Sequence, residues 1–91
     1  MKDFTKQYPE RRFDVMFYAD EESLTVDKVQ AFLCAPNDDD TRWVPEKGYS
    51  VSIGYQLFSV KEAAEKALRR IARKQIEGTQ KRLEKLRAVL A

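Results

Sequence analysis

Side chains able to do covalent or acid–base chemistry are scarce in this chain. It contains no histidine, which removes the commonest general base and the commonest metal ligand together. Histidine-based triads and zinc sites of the usual spacings go with it. One cysteine, Cys34, follows Phe32 and Leu33. A thiol becomes a nucleophile only where a basic neighbour favours the thiolate; in this strand-like setting Cys34 reads as a small buried apolar residue. The consecutive carboxylates Asp38, Asp39 and Asp40 lack the spread of oxygen ligands, the central glycine and the terminal glutamate of a calcium loop. They read as solvated turn formers that share an acidic surface with Asp20, Glu21 and Glu22. Gly48, Gly54 and Gly78 build no phosphate-cradling loop. The expectation is a protein that is not an enzyme, with no cofactor, no metal and no small-molecule substrate.

Basic side chains are the other chemically loaded group. Arg69, Arg70, Arg73 and Lys74 fall within two helical turns, followed by Lys81, Arg82, Lys85 and Arg87. Residues 1–59 carry seven Lys/Arg against eleven Asp/Glu, a balance of −4, whereas residues 60–91 carry ten against four, a balance of +6. An acidic head is thus joined to a basic tail. Such a basic face suits phosphates, whose neutralisation releases counterions, with Arg69, Arg70, Arg73, Lys74 and Lys81 as the contacts. Glu62, Glu65, Glu77 and Glu84 interrupt the run, and the spacing favours Glu62–Lys66, Glu65–Arg69 and Glu77–Lys81 pairs along a solvated helix face.

The elements that must position these groups follow from periodicity. With 91 residues the chain is long enough for one domain, burying about 60–65% of its unfolded surface. Residues 1–11 are polar, contain Pro9 and read as a loose N-terminal arm. Residues 12–58 read as a sheet. Phe13, Val15, Phe17 and Ala19 alternate with Arg12, Asp14, Met16 and Tyr18, which is strand patterning. Asp20 to Ser23 form a turn. Residues 24–35 fit either a strand or a short helix; their Thr, Val, Phe and Cys content favours a strand, bulged near Asp27 and Lys28 where the alternation changes phase. Residues 36–40 form a loop, and Arg42, Trp43 and Val44 a short strand. Pro45 to Gly48 make a turn. Tyr49, Val51, Ile53 and Tyr55 alternate with Ser50, Ser52 and Gly54 as a strand with one face toward the core. Tyr18 and Trp43 are available as exposed stackers, though packing in the core or at its rim fits them better.

From Ser59 onward the pattern is helical. Ser59 and Glu62 are spaced as a capping box, and Ala, Glu, Lys, Leu and Arg are strong helix formers. An apolar stripe of Val60, Ala64, Leu68, Ile71, Ala72, Ile76, Thr79, Leu83, Leu86 and Leu90 recurs every three or four residues. The fold class is therefore α+β: a three- or four-stranded antiparallel sheet packed on a long C-terminal helix. A helix over 60–90 is about 46 Å long, while strands of seven or eight residues span only about 25 Å. The sheet runs out near Ile76, yet the stripe continues. Either the helix bends or breaks at Gly78 and folds back, or Ile76, Thr79, Leu83, Leu86 and Leu90 form a two-heptad seam that seeks another chain.

The absence of chemistry and the presence of this seam point to a protein-binding module of the inhibitor, adaptor or accessory-subunit kind, acting through its helix and acidic head and able to self-associate as a homodimer. Nucleic-acid binding through the basic helix face is the alternative. No apolar run approaches the roughly 20 residues of a membrane span, and no signal pattern precedes residue 10; a cytoplasmic protein is expected.

Overall fold

A computed structural model describes residues 2–35 and 38–91. The elements are β1 (Phe13–Asp20), β2 (Thr25–Ala35), β3 (Asp38–Val44), β4 (Tyr49–Ser52), β5 (Leu57–Phe58) and α1 (Lys61–Leu90). All strand pairs are antiparallel, in the order β4-β3-β2-β1-β5. The sheet thus has five strands rather than three or four. The additional strand is two residues long, too short to carry a period, and it forms because Phe58 and Leu57 pair with Phe17 and Tyr18.

Because side chains alternate along each strand, register decides which residues share a face. Met16 pairs with Val29 and Tyr18 with Leu57, and their face carries the core cluster of Met16, Tyr18, Val29, Ala31, Val44, Val51 and Leu57. The sheet curls around this cluster. Ile53 N donates to Asp40 O in β3, while Gly54 N donates to Leu57 O in β5, so the short link after the edge strand β4 reaches the other edge strand. That curl shortens the strand expected from Tyr49 to Tyr55. Pairing stops at Ser52, Gly54 turns at φ +93°, and Tyr49, Ile53 and Tyr55 are exposed while Val51 alone enters the core.

Residues 24–35 contain β2, and its register against β1 is continuous from Thr25 to Phe32, without the bulge expected near Asp27. The irregularity lies between Leu33 and Ala35, opposite β3. It carries Cys34 to the surface, its Sγ 3.8 Å from Ser50 Oγ, so the expected burial of this thiol does not occur. Of the loop expected at 36–40, residues 36 and 37 lie outside the described residues, and Asp38 already pairs with Ala35 as the start of β3.

The other face of β2 also needs cover, since Gln30 and Phe32 are buried. The N-terminal arm supplies it and is docked rather than loose. Phe4 N donates to Gln30 Oε1 at 2.7 Å, Tyr8 lies 5.1 Å from the Phe32 ring, and the indole N–H of Trp43 donates to Tyr8 Oη. A terminal turn with few apolar groups of its own docks because partners distant in sequence offer it a buried acceptor and an aromatic bed.

Lys47, in the β3–β4 turn, clamps the opposite end of the sheet. Its Nζ donates to Asp20 at 2.9 Å and Asp27 at 2.7 Å and lies 5.1 Å from the Tyr18 ring centre. Burial works against the ammonium, but the carboxylates of Asp27 and Asp20 outweigh it and leave the Lys47 pKa raised. The Lys47 hydrogen bond lowers the Asp20 pKa against the opposing effect of burial, helped by the amides of Ser23 and Glu22. Burial, then the hydrogen bond with Tyr49, pushes the Tyr18 phenol upward.

The helix contacts β1, β2 and β5, with Ala64 and Ala67 buried; small side chains there let it approach the sheet closely. It starts one residue later than the capping box requires. Val60 is the N-cap, in extended conformation and without a side-chain hydrogen bond. Ser59 and Val60 are exposed, so water can serve the first amides and the reciprocal Ser–Glu arrangement is not needed.

Replacing Lys47 by Met should lower unfolding free energy by about 2 kcal/mol, since two half-buried carboxylates lose their counter-ion, and lower Tm by roughly 10 °C. The depressed Asp20 pKa makes its share present above the ordinary carboxylate value and lost as pH falls below about 4; the raised Lys47 pKa makes its share present below about 10.4 and lost as pH rises through the folded value. Urea titrations of both proteins should therefore show a constant gap between roughly pH 5 and 10 that closes at either extreme. Gly78→Ala adds a Cβ that meets nothing within 4 Å and should stabilise the distal helix by about 1 kcal/mol, read as roughly fivefold slower amide exchange beyond residue 78.

Candidate protein-interaction surface

The helix outlasts its support. Ile71 and Ala72 are half-buried, and every residue from Arg73 to Ala91 is exposed. Gly78 does not break it: α1 is continuous over 30 residues, about 45 Å, so no second helix folds back over the sheet. The radius of gyration is 17.0 Å and the long axis 61 Å, whereas a compact chain of this length has a radius of gyration of about 12 Å. Sheet cover ends near Ala72, about one turn before the point that strand length implies.

Along this free segment Ile76 is 57% exposed, Leu83 45%, Leu86 51% and Leu90 87%, with Thr79 exposed between them. Their spacings of three, four, three and four place all five on one side of the helix, Ile76, Leu83 and Leu90 at a positions and Thr79 and Leu86 at d. The same register puts Gln80 and Arg87 on one flank of the stripe, Gln75, Arg82 and Val89 on the other, and both acids of the segment, Glu77 and Glu84, on the outer side.

Sequence patterning missed the residue that starts this surface. Leu24 ends the β1–β2 turn in the left-handed region, φ 57°, a conformation a leucine rarely adopts. Asp20 fixes the turn: its Oδ1 accepts from the amides of Glu22 and Ser23, and its carbonyl accepts from Leu24 N at 2.9 Å. Leu24 is 45% exposed and faces Ala72, Gln75, Ile76, Thr79 and Gln80 across an open cleft of about 350 Å³. Gln75 Nε2 donates to Glu21 O and pins helix and turn together. A lone leucine after three charged or polar turn residues carries no periodicity, so only the folded turn reveals its placement.

The basic residues occupy the junction between head and free helix. Arg69, Arg70, Arg73, Lys74 and Lys81 are all exposed. Among the described residues no ion pair reaches them, and the Glu62–Lys66, Glu65–Arg69 and Glu77–Lys81 pairs are not formed. Lys66, Arg69, Arg70 and Arg73 line one hollow with Phe58; Arg70 and Lys74 line another with Tyr55 and Glu21.

The acidic residues do not form one surface. Asp20, Glu21 and Glu22 lie at the β1–β2 turn, beside the helix, while residues 38–40 begin β3 at the far end of β2, whose 11 residues span about 36 Å. Asp20 is engaged by Lys47, Glu21 and Glu22 are exposed, and the side chains of Asp38 and Asp39 lie outside the described residues. Neither suggested stacker is open: Tyr18 is buried in the core, and Trp43 is half-buried with its N–H bound to Tyr8. Among the described residues no helix is long and apolar enough to cross a membrane. No protein-family model, curated protein or solved structure matches the chain.

Proposed function

We propose that this is a small, non-enzymatic protein-binding module of the adaptor or accessory-subunit kind, whose working surface is the free half of its C-terminal helix. The observation that carries this reading is the row Ile76, Leu83, Leu86 and Leu90, exposed on a continuous helix beyond the reach of the sheet. Helices that lay an apolar stripe against a partner are a common recognition mode. Burying what these four side chains still expose is worth roughly 6 kcal/mol before the cost of association. The short seam alone makes a weak two-helix contact, so the cleft under Leu24 contributes to the same surface. An exposed, unpaired Cys34 fits a reducing compartment such as the cytoplasm.

Leu83→Asp with Leu86→Asp should leave the head folded, with near-ultraviolet circular dichroism unchanged and Tm within about 2 °C, because both positions are solvent-exposed. Affinity capture with the wild-type chain as bait should retain a protein, whether a copy of itself or another, that the double variant loses. Identical captures from the two baits would sink the reading.

A second reading, nucleic-acid binding, is favoured by the five cations Arg69, Arg70, Arg73, Lys74 and Lys81 without an ion-pair partner among the described residues. It predicts that a fluorescent single-stranded oligonucleotide binds with log K falling linearly in log salt, and that Arg69→Glu with Arg73→Glu abolishes the signal. No anisotropy change at low salt removes this reading.

A further inference from the structure

The geometry points to a second copy of this chain, running antiparallel, as the occupant of the exposed helix seam. This inference rests on the protein-binding reading of the same surface and adds the partner and its orientation.

The seam is close to self-complementary about its middle. Read forward from Ile76 its spacings are three, four, three and four; read backward from Leu90 they are four, three, four and three. An antiparallel copy packs a positions against d positions, setting Leu83 beside Leu86 twice about the two-fold axis and Thr79 beside Leu90. This is the isologous contact of a two-fold dimer, in which one patch serves both partners.

Two observations select the antiparallel direction. The first is steric. Leu24 and the β1–β2 turn stand over the helix level with residues 72–80. In a parallel pair the second helix would carry its residues 61–75 past this level and through the turn. In an antiparallel pair the heads lie at opposite ends, and only the last residues of the second copy, around Leu90, reach the level of Thr79 at the open end of the Leu24 cleft.

The second is electrostatic. In a parallel pair Arg82 on one flank meets Arg87 of the other helix, twice by symmetry, because these positions face each other across a two-stranded seam. In the antiparallel pair Gln80 meets Arg87 and Arg82 meets Val89, so no like charges face each other along the seam. That direction also carries the basic tip, with Lys85 and Arg87, toward the exposed Glu21 and Glu22 of the other head, so opposite charges meet where the apolar seam is shortest. The basic residues nearer the head, Arg69, Arg70 and Lys74, lie outside the paired segment and stay open.

The test combines solution mass with site-directed crosslinking on the full chain carrying Cys34→Ser, so that no native thiol competes. Light scattering coupled to size exclusion should give a dimer at high micromolar concentration, and Leu83→Asp should give a folded monomer. Thr79→Cys and Leu90→Cys proteins, each oxidised alone, should crosslink slowly. Mixed, they should form the heterodisulfide roughly tenfold faster or more, since dimerisation raises the effective concentration of the matched pair. Faster homodisulfide formation by Thr79→Cys alone would mean a parallel pair and overturn the orientation. A monomer at all concentrations would overturn the second copy as occupant. If affinity capture still shows a partner lost with Leu83→Asp and Leu86→Asp, the protein-binding reading survives that failure; if it does not, both fall together.

Discussion

Five short strands can hide seven apolar side chains from water by wrapping around them. That closure governs the rest of the molecule. Once Met16, Tyr18, Val29, Ala31, Val44, Val51 and Leu57 pack inside the curled sheet, the helix no longer has to complete the core; it lies against β1, β2 and β5 and buries only two alanines fully. A flat sheet would have offered a broad apolar face and held more turns of helix. The curled sheet offers a narrow one, and the remaining turns stand in solvent with their stripe uncovered. The free seam is thus a consequence of where the core closed.

Holding the curl depends on polar groups as much as on burial. The β1–β2 and β3–β4 turns approach each other with two carboxylates and one ammonium between them, and Lys47 resolves that meeting by binding both Asp20 and Asp27 over the Tyr18 ring. The same Asp20 shapes the turn that leaves Leu24 at positive φ. One carboxylate therefore links the stability of the head to the shape of the cleft where the helix departs. Buried Gln30, Arg42 and Gln56 are likewise engaged, and no buried side-chain polar atom lacks a partner among the described residues.

Much of this architecture is legible in the residue pattern, and what is not has physical reasons. The alternation in 13–20 and the β-rich composition of 25–35 mark two strands that the fold contains, and comparing helix rise with strand length places the end of cover within about one turn of Ala72. The pattern fails where long-range partners decide. Phe13 and Val15 look like core residues but are exposed, because the curl turns the face bearing Met16 and Tyr18 inward. β5 exists only through its pairing with β1. The arm over 2–11 docks only because Gln30 and Trp43, far along the chain, present an acceptor and a donor. At Gly78 propensity alone leaves bend and continuation open; the helix continues because one glycine among strong helix formers costs about 1 kcal/mol, too little to break it without a competing contact.

The docked arm has an optical consequence. Trp43 is the only tryptophan in the chain, and its indole is held against Tyr8 under the N-terminal turn, far in sequence from the helix tip. Its emission reports whether the arm is seated: water reaching the ring on release shifts the spectrum to the red, and the nearby tyrosine loses its role as an energy donor. Events confined to the distal helix leave that environment untouched. The molecule therefore carries a built-in fluorophore for one end of its sheet that is silent to the other end of its structure.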